Sequence, residues 1–320
     1  MENKKVLYVT TKNIDYIRNA QIIRMLKKQY SDVEILFSKR KNYYIRIIEV
    51  NIKLIMKKRK KYDIVFYGFL PQLIFSCFYK KKNSEQKIVA DFIISLYDVL
   101  VFDRKKVKKN SIFAMLLKKI DQRIISKSDI VYTDTNTQAR YFKSLFRIDN
   151  NKLKVVYFES NDLIYKKEVK GIEKRDNEFR VLWFGTVLPL QGLNTILKSA
   201  ELLEQKDNIK FYIIGNLKRI KTKNYKNVTF INWIAQEKLA EYIKSADLCL
   251  AGHFSGEIER ANRVIPGKAY IYHSMGKKMI LGESEANREK FNENFQDIFY
   301  VKRGNPEELA KKIEEISIMK

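Results

Sequence analysis

Two segments in the second half of the chain, 181–203 (VLWFGTVLPLQGLNTILKSAELL) and 263–284 (RVIPGKAYIYHSMGKKMILGES), restrict its fold more than anything else in the sequence. Each reads as half of a βα unit: an apolar strand, a loop marked by Gly or Pro, and an amphipathic helix. In the first, a strand over 181–184 runs through Gly185 and Gly192 into a helix. In the second, a loop and a helix precede a strand over 278–281. Helix N-termini and glycine turns at the ends of parallel strands attract anionic ligands, because unpaired N–H groups and the helix dipole point there. A glycine after a strand is more often a plain turn, so neither loop says much alone. Together they define an α/β architecture with a candidate anion site.

The first half alternates in the same way. Strands are expected over 5–10, 33–37, 64–67, 88–91, 130–133 and 153–157, with helices over 14–29, 43–60, 72–79, 112–126 and 138–145. Such alternation gives a parallel sheet with helices on both faces. Residues 159–180 are polar and aperiodic and read as a linker. A second alternating set runs from Val181 to a helix over 306–318. The expected domains are therefore 1–160 and 178–320, two doubly wound Rossmann-like units, and 320 residues are enough for two cores.

Charge is divided unequally. The net charge is +26, and residues 1–160 hold 35 Lys+Arg against 15 Asp+Glu, a net of +20. A lysine-rich composition explains part of the total but not its concentration in one half. A field of this sign attracts polyanions, either nucleic acid or an anionic membrane. The expected helix over 43–60 carries an apolar stripe bordered by a basic run, Lys57, Lys58, Arg59, Lys60 and Lys61. It is either a core helix with a snorkelling rim or a surface helix that partly faces lipid. The start of the chain leads directly into a short strand, with no signal peptide in view. Cys77 and Cys249 fall in different expected domains, which argues against a disulfide. Both observations lead us to expect a cytoplasmic chain, peripheral to the inner face of the membrane.

The two segments, with KFYIIGN, NVTFINWIAQEKLAEYIKSADLCLAG and NPEELAKKIEEI in order around them, resemble the C-terminal half of a GT-B glycosyltransferase. The similarity is to the retaining transferases that build bacterial capsule, exopolysaccharide and lipopolysaccharide. KYDIVFYGFLPQ, VADFIISLYDVLVFDRK and SDIVYTDTNTQARYFKSLF in the first half are similar to the same group. The resemblance implies two domains facing across a cleft, with the nucleotide-diphosphate sugar (UDP or GDP) on the second. The acceptor, a hydroxyl of a lipid-linked or surface glycan, is expected on the first.

Such a reaction must neutralise a departing diphosphate. The chain has no Asp-x-Asp motif, so a metal-independent transfer with no cofactor beyond the co-substrate is expected. Helix dipoles, backbone N–H groups and cations must then meet the charge. The donor-site candidates are Gly185, Thr186, Gly192, Gly215, His253, Arg260, Arg263, Lys268 and Glu283. Lys268 stands out because Ile265-Pro266-Gly267 sets up a helix start beneath it. Many relatives carry two Glu residues around the donor-sugar loop; Arg263 and Ile271 occupy those positions here. In the first half, Asp91 ends a strand and Asp98 follows it, and both are expected as catalytic carboxylates facing the cleft. Ser95 and Thr135 are expected at the acceptor, although Thr135 also reads as a helix N-cap. Two histidines, His253 and His273, without a matching ligand cluster make no zinc site.

Two other classes remain open at this level. The missing acids fit a non-catalytic GT-B subunit that activates a partner transferase. The charge alone fits a nucleic-acid binder, but no helix-turn-helix, zinc finger or aromatic RNA-binding signature supports one.

Overall fold

The computed structural model describes residues 1–217, 224–292 and 295–319, with the side chains of residues 76, 77 and 150 outside that description. The chain divides into two compact units, Met1–Glu159 and Ser160–Lys320. Each unit is built on a six-stranded, all-parallel sheet.

In the first unit the strands are β1 (Glu2–Val9), β2 (Tyr30–Leu36), β3 (Ile64–Tyr67), β4 (Lys87–Asp91), β5 (Ile130–Thr133) and β6 (Leu153–Val155), in the order β2-β1-β3-β4-β5-β6. The central strands are near-continuous apolar runs, as expected where both faces of a parallel sheet are covered. The β1-to-β2 crossover runs one way along the sheet, and every later crossover runs the other way. Right-handed crossovers therefore put the helix Ile17–Gln29 on one face. The helices Tyr43–Met56, Ile112–Lys127 and Asn136–Phe146 lie on the other. The two cores follow this division. Ile22, Ile23 and Leu26 pack with Val6 and Tyr8, whereas Val50, Leu54, Ile124, Ile125 and Phe142 pack with Leu7 and Val9.

Two elements differ from the sequence-based expectation. The helix expected over 43–60 ends at Met56, because Lys57 turns extended and Arg59 enters the core. The helix expected over 72–79 is instead two short 3₁₀ turns, Pro71–Leu73 and Ser76–Tyr79. Leu70, in the left-handed conformation, and Pro71 start the first turn, and the segment between is anchored by side chains rather than by a helical ladder. Asn51 accepts from the Phe75 N–H and donates to the Leu73 carbonyl.

The second unit holds β7 (Phe179–Thr186), β8 (Ile209–Asn216), β9 (Val228–Ile231), β10 (Leu248–Gly252), β11 (Met279–Gly282) and β12 (Ile298–Val301), in the order β12-β11-β10-β7-β8-β9. Strand order reverses between β7 and β10. The crevice outside the carboxyl ends of two such strands is where open α/β sheets bind ligands. The polar stretch read as a linker is not free of contacts. The Ile172 N–H donates to Ser245 Oγ, Lys174 pairs with Asp247, and Tyr165 is buried, all within the second unit. Cys249 is a buried free thiol in β10.

Candidate active site

At the end of β7, strand alternation places Trp183 and Gly185 on one face of the sheet. Lys268, on the first turn of the helix Gly267–Ser274, reaches over them. Its Nζ lies 4.4 Å from the centre of the Trp183 ring and donates to Gln191 Oε1 at 2.7 Å. Lys268 is only 6% exposed. Among the described residues no carboxylate pairs with it, and burial alone pushes its pKa well below the ordinary lysine value. A buried ammonium held only by an amide oxygen and an aromatic face lacks a counter-charge, which a phosphate would supply.

His253, directly after β10, is buried as well, and its Nδ1 has no hydrogen-bond partner among the described residues. Burial first, then the positive charges of Lys268, Arg260 and Arg303, hold its pKa well below the usual range, so the imidazole is neutral near pH 7. Arg260 lies in the 3₁₀ turn Glu259–Asn262, which the Arg263 N–H closes on the Arg260 carbonyl. The cluster at this strand switch is therefore cationic, and the N-terminus of the Lys268 helix adds a favourable dipole for an anion.

The backbones here are packed too closely for larger residues. Gly185 sits at φ +151°, a conformation that side chains rarely adopt, though a Cβ there would make only ordinary contact, 3.7 Å from Lys268 Nζ. Gly215 pairs with Gly185 across β8 and β7, and its Cβ would lie 2.1 Å from the Gly185 carbonyl oxygen. Gly215→Ala should therefore force the two strand ends apart and cost about 1–3 kcal/mol of stability by overpacking. Thermal denaturation checks this, and an unchanged melting temperature would count against so tight a junction. Gly192, left-handed at the head of the helix Leu193–Leu202, borders a cavity of about 710 Å³ formed with loop 255–258 and Arg303. A second cavity, of about 750 Å³, lies where segment 163–173 folds against the helix Gln236–Ser245, and neither cavity is lined by Gly185, His253, Arg260 or Lys268.

Most of the donor-site candidates thus meet at one end of the second sheet: Gly185, Gly215, His253, Arg260 and Lys268, with Thr186 exposed at the tip of β7. Glu283 does not join them. It is exposed and held by Arg288 in a two-point ion pair, beside a separate cavity of about 430 Å³. Ile271 is buried in the helix, an apolar side chain at one of the positions where the resemblance implies an acid. Trp183 and Arg303 were not anticipated. Trp183 could have been found from alternation with Gly185, whereas nothing in sequence connects Arg303 to His253.

In the first unit the expected catalytic carboxylates have structural partners. Asp91 is fully buried and accepts from Arg18 at 2.8–3.1 Å, and Arg18 also donates to the Val156 carbonyl at 2.6 Å. Asp98 is buried and accepts from the Tyr141 hydroxyl at 2.9 Å. The two acceptor candidates are occupied as well. Ser95 Oγ caps Asp98 N–H and donates to Asp121, while Thr135 caps the helix Asn136–Phe146 through Gln138 N–H. The buried hub, missed in the sequence, is Asp121, which also accepts from Gln72 and from the Leu96 and Tyr97 N–H groups. Of the basic run, Arg59 is buried, donating to the Phe78 carbonyl and packing on its ring, and Lys57 pairs with Glu34. Lys58, Lys60 and Lys61 are exposed.

Among the described residues no group of three or more His, Cys, Asp or Glu could hold a metal ion, and no helix is long and apolar enough to cross a membrane. No curated protein matches the chain. Solved structures do. HepE from Anabaena, crystallised with UDP and glucose, aligns with a TM-score of 0.64 at 13% identity, covering 98% of this chain and 89% of that one. Sucrose-phosphate synthase from Thermosynechococcus elongatus aligns at 0.69 and 11% identity, covering 98% and 90%. WaaG, a glycosyltransferase involved in lipopolysaccharide biosynthesis, aligns at 0.65 and 11% identity, covering 98% and 92%. At such identities the likeness is one of fold. The family model described as glycosyl transferases group 1 matches residues 178–317, the stretch that carries Gly185, His253 and Lys268. The second unit thus matches the glycosyl transferases group 1 model, and the two parallel α/β sheets of the chain share the GT-B fold of these solved structures.

Proposed function

We propose that the second unit binds a nucleotide-diphosphate sugar, UDP-linked or GDP-linked, with its diphosphate over Gly185 and against Lys268. The observation that carries this reading is the buried Lys268 ammonium, with no carboxylate partner among the described residues, at a strand switch and on a helix N-terminus. The UDP bound to the HepE structure favours the uridine form. In the transfer, the bond from the anomeric carbon to the diphosphate oxygen breaks and one to the acceptor hydroxyl oxygen forms. The hydroxyl proton is released and the nucleoside diphosphate departs. Lys268, the N–H groups of the helix Gly267–Ser274, Arg260 and Arg263 take up the leaving-group charge, so no divalent ion is required. Neutral His253 contributes a polar group without adding positive charge. We read the transfer as retaining. The acceptor in this reading is a hydroxyl on a lipid-linked surface glycan, with the basic first unit working at an anionic membrane face.

Calorimetric titration with UDP-, GDP- and CMP-sugars, with and without EDTA, tests the donor part. Binding of a uridine or guanosine diphosphate sugar that is indifferent to EDTA is the expected result. A strict requirement for Mg²⁺, or no binding of any donor, would overturn it.

A further inference from the structure

The first unit leaves a large apolar surface uncovered. On the helix Tyr43–Met56, the side chains of Tyr44, Ile45, Ile48, Ile52, Ile55 and Met56 are each half or more exposed. The same holds for Ile112, Phe113, Met115 and Leu116 at the start of the helix Ile112–Lys127, where Ile112 reaches 78%. Both helices lie on the same face of the sheet, since both follow crossovers that run the same way. The segment between them carries Phe75, also half exposed, and is tied to one helix through Asn51 and to the other through the Gln72–Asp121 bond. Isolated exposed leucines need no explanation, but a run of this size on one face marks an interaction site.

The charges around the surface are of one sign. Arg104, Lys105, Lys106, Lys108 and Lys109 are exposed just before the second helix, and Lys119 lies on it. Lys58 and Lys60 flank the first, and Lys53 on it is paired with Glu49. The acids on these helices are already engaged: Glu49 pairs with Lys53 and Arg40, and Asp121 is buried. An apolar centre with a basic rim complements an anionic bilayer, with acyl chains at the centre and headgroups at the edge. A second copy would bring the same positive rim against this one, and like charges opposed across an interface are unfavourable.

We infer that this face of the first unit inserts into an anionic membrane, with Ile48, Ile52, Phe75, Phe113 and Leu116 among the acyl chains and the basic rim on the headgroups. The inference deepens the membrane part of the reading above and is independent of its nucleotide part. It also changes the nature of the attachment. The basic run at 57–61 is a lesser contributor, because Arg59 is buried and Lys57 is paired, and insertion outlasts the screening of charge.

The test is co-sedimentation of the whole chain with vesicles of phosphatidylcholine alone and of phosphatidylcholine with phosphatidylglycerol, at low salt and at about 1 M, where the Debye length is roughly 3 Å. Anionic vesicles should bind more protein at low salt and retain a fraction at high salt. Ile48→Ser with Ile52→Ser, or Phe113→Ser with Leu116→Ser, should reduce the retained fraction at least ~10-fold with little change in melting temperature, as the residues are exposed. Lys105→Ser with Lys106→Ser should lower binding at low salt only. In Phe113→Trp, acyl-chain-brominated lipid should quench fluorescence beyond that of the parent protein. Complete release by salt, apolar variants that sediment like the parent, or a lipid-free dimer that Phe113→Ser dissolves would each overturn the inference. UDP titration in lipid-free solution reads the donor site separately, so failure of one reading is not mistaken for failure of the other.

Discussion

Lys268→Met should weaken nucleoside diphosphate binding by about 1.5–3 kcal/mol, a ~10- to 150-fold rise in Kd, while leaving the protein as stable as before or more so. The two effects have opposite signs because the lysine is a buried charge without a carboxylate. Burying an unpaired charge costs free energy, and an apolar chain of similar length over Trp183 removes that cost. A lysine kept only for packing would behave the other way, losing stability and sparing affinity.

The same environment predicts a pH dependence. Burial lowers the Lys268 pKa in the free protein, and an apposed diphosphate raises it again. Between those two values binding takes up a proton, so affinity falls as pH rises through the interval. In the ligand-free protein the unfolded chain binds more protons at this group than the folded one does. Its contribution therefore makes stability increase as pH rises through the folded-state pKa toward the unfolded one. Titration in two buffers of different ionisation enthalpy measures the uptake, and Lys268→Met should abolish that component. Proton uptake identical in parent and variant would exclude Lys268 as the group that titrates.

How far the site could be read from the sequence depended on the range of the interactions involved. Gly185, Gly215 and Lys268 could be anticipated because a strand, a loop and a helix start are local patterns, and the topology of parallel sheets brings strand ends together. The helix Ile112–Lys127 was expected almost to the residue from its period alone. Partners distant in sequence were not legible in it. Asp91 at a strand end looks like a crevice carboxylate until Arg18, 73 residues earlier, is found against it. Arg59 looks like part of a polybasic surface until Phe78 covers it. A six-residue apolar stripe has the same period on a core helix as on one facing outward. Only the position of Val50 and Leu54 on the inner side shows that Ile48 and Ile52 face away.

Asp91→Ala should destabilise the first unit by about 3–5 kcal/mol, because it leaves the Arg18 guanidinium charged, buried and without its anion. Arg18 and Asp91 side chains are both 0% exposed, and their bonds join the helix Ile17–Gln29 to the end of β4. The remaining Arg18 donor holds the Val156 carbonyl, so the pair also anchors the chain just after β6. Removing both partners is a different experiment. Arg18→Met with Asp91→Leu eliminates the uncompensated charge and should recover much of the loss, since a buried ion pair is often no better than apolar residues of similar volume. The double-mutant cycle isolates the coupling between them, provided neither single variant forms new contacts. A role in chemistry would give the opposite pattern: Asp91→Asn, which keeps the shape, would retain the melting temperature and lose turnover. We expect Asp91→Asn to lower the melting temperature and, at temperatures where it is folded, to transfer sugar at close to the parent rate. Chemical denaturation and a turnover assay on the same preparations decide between the two, because a structural carboxylate and a reacting one cannot both fail in the same assay while the other holds.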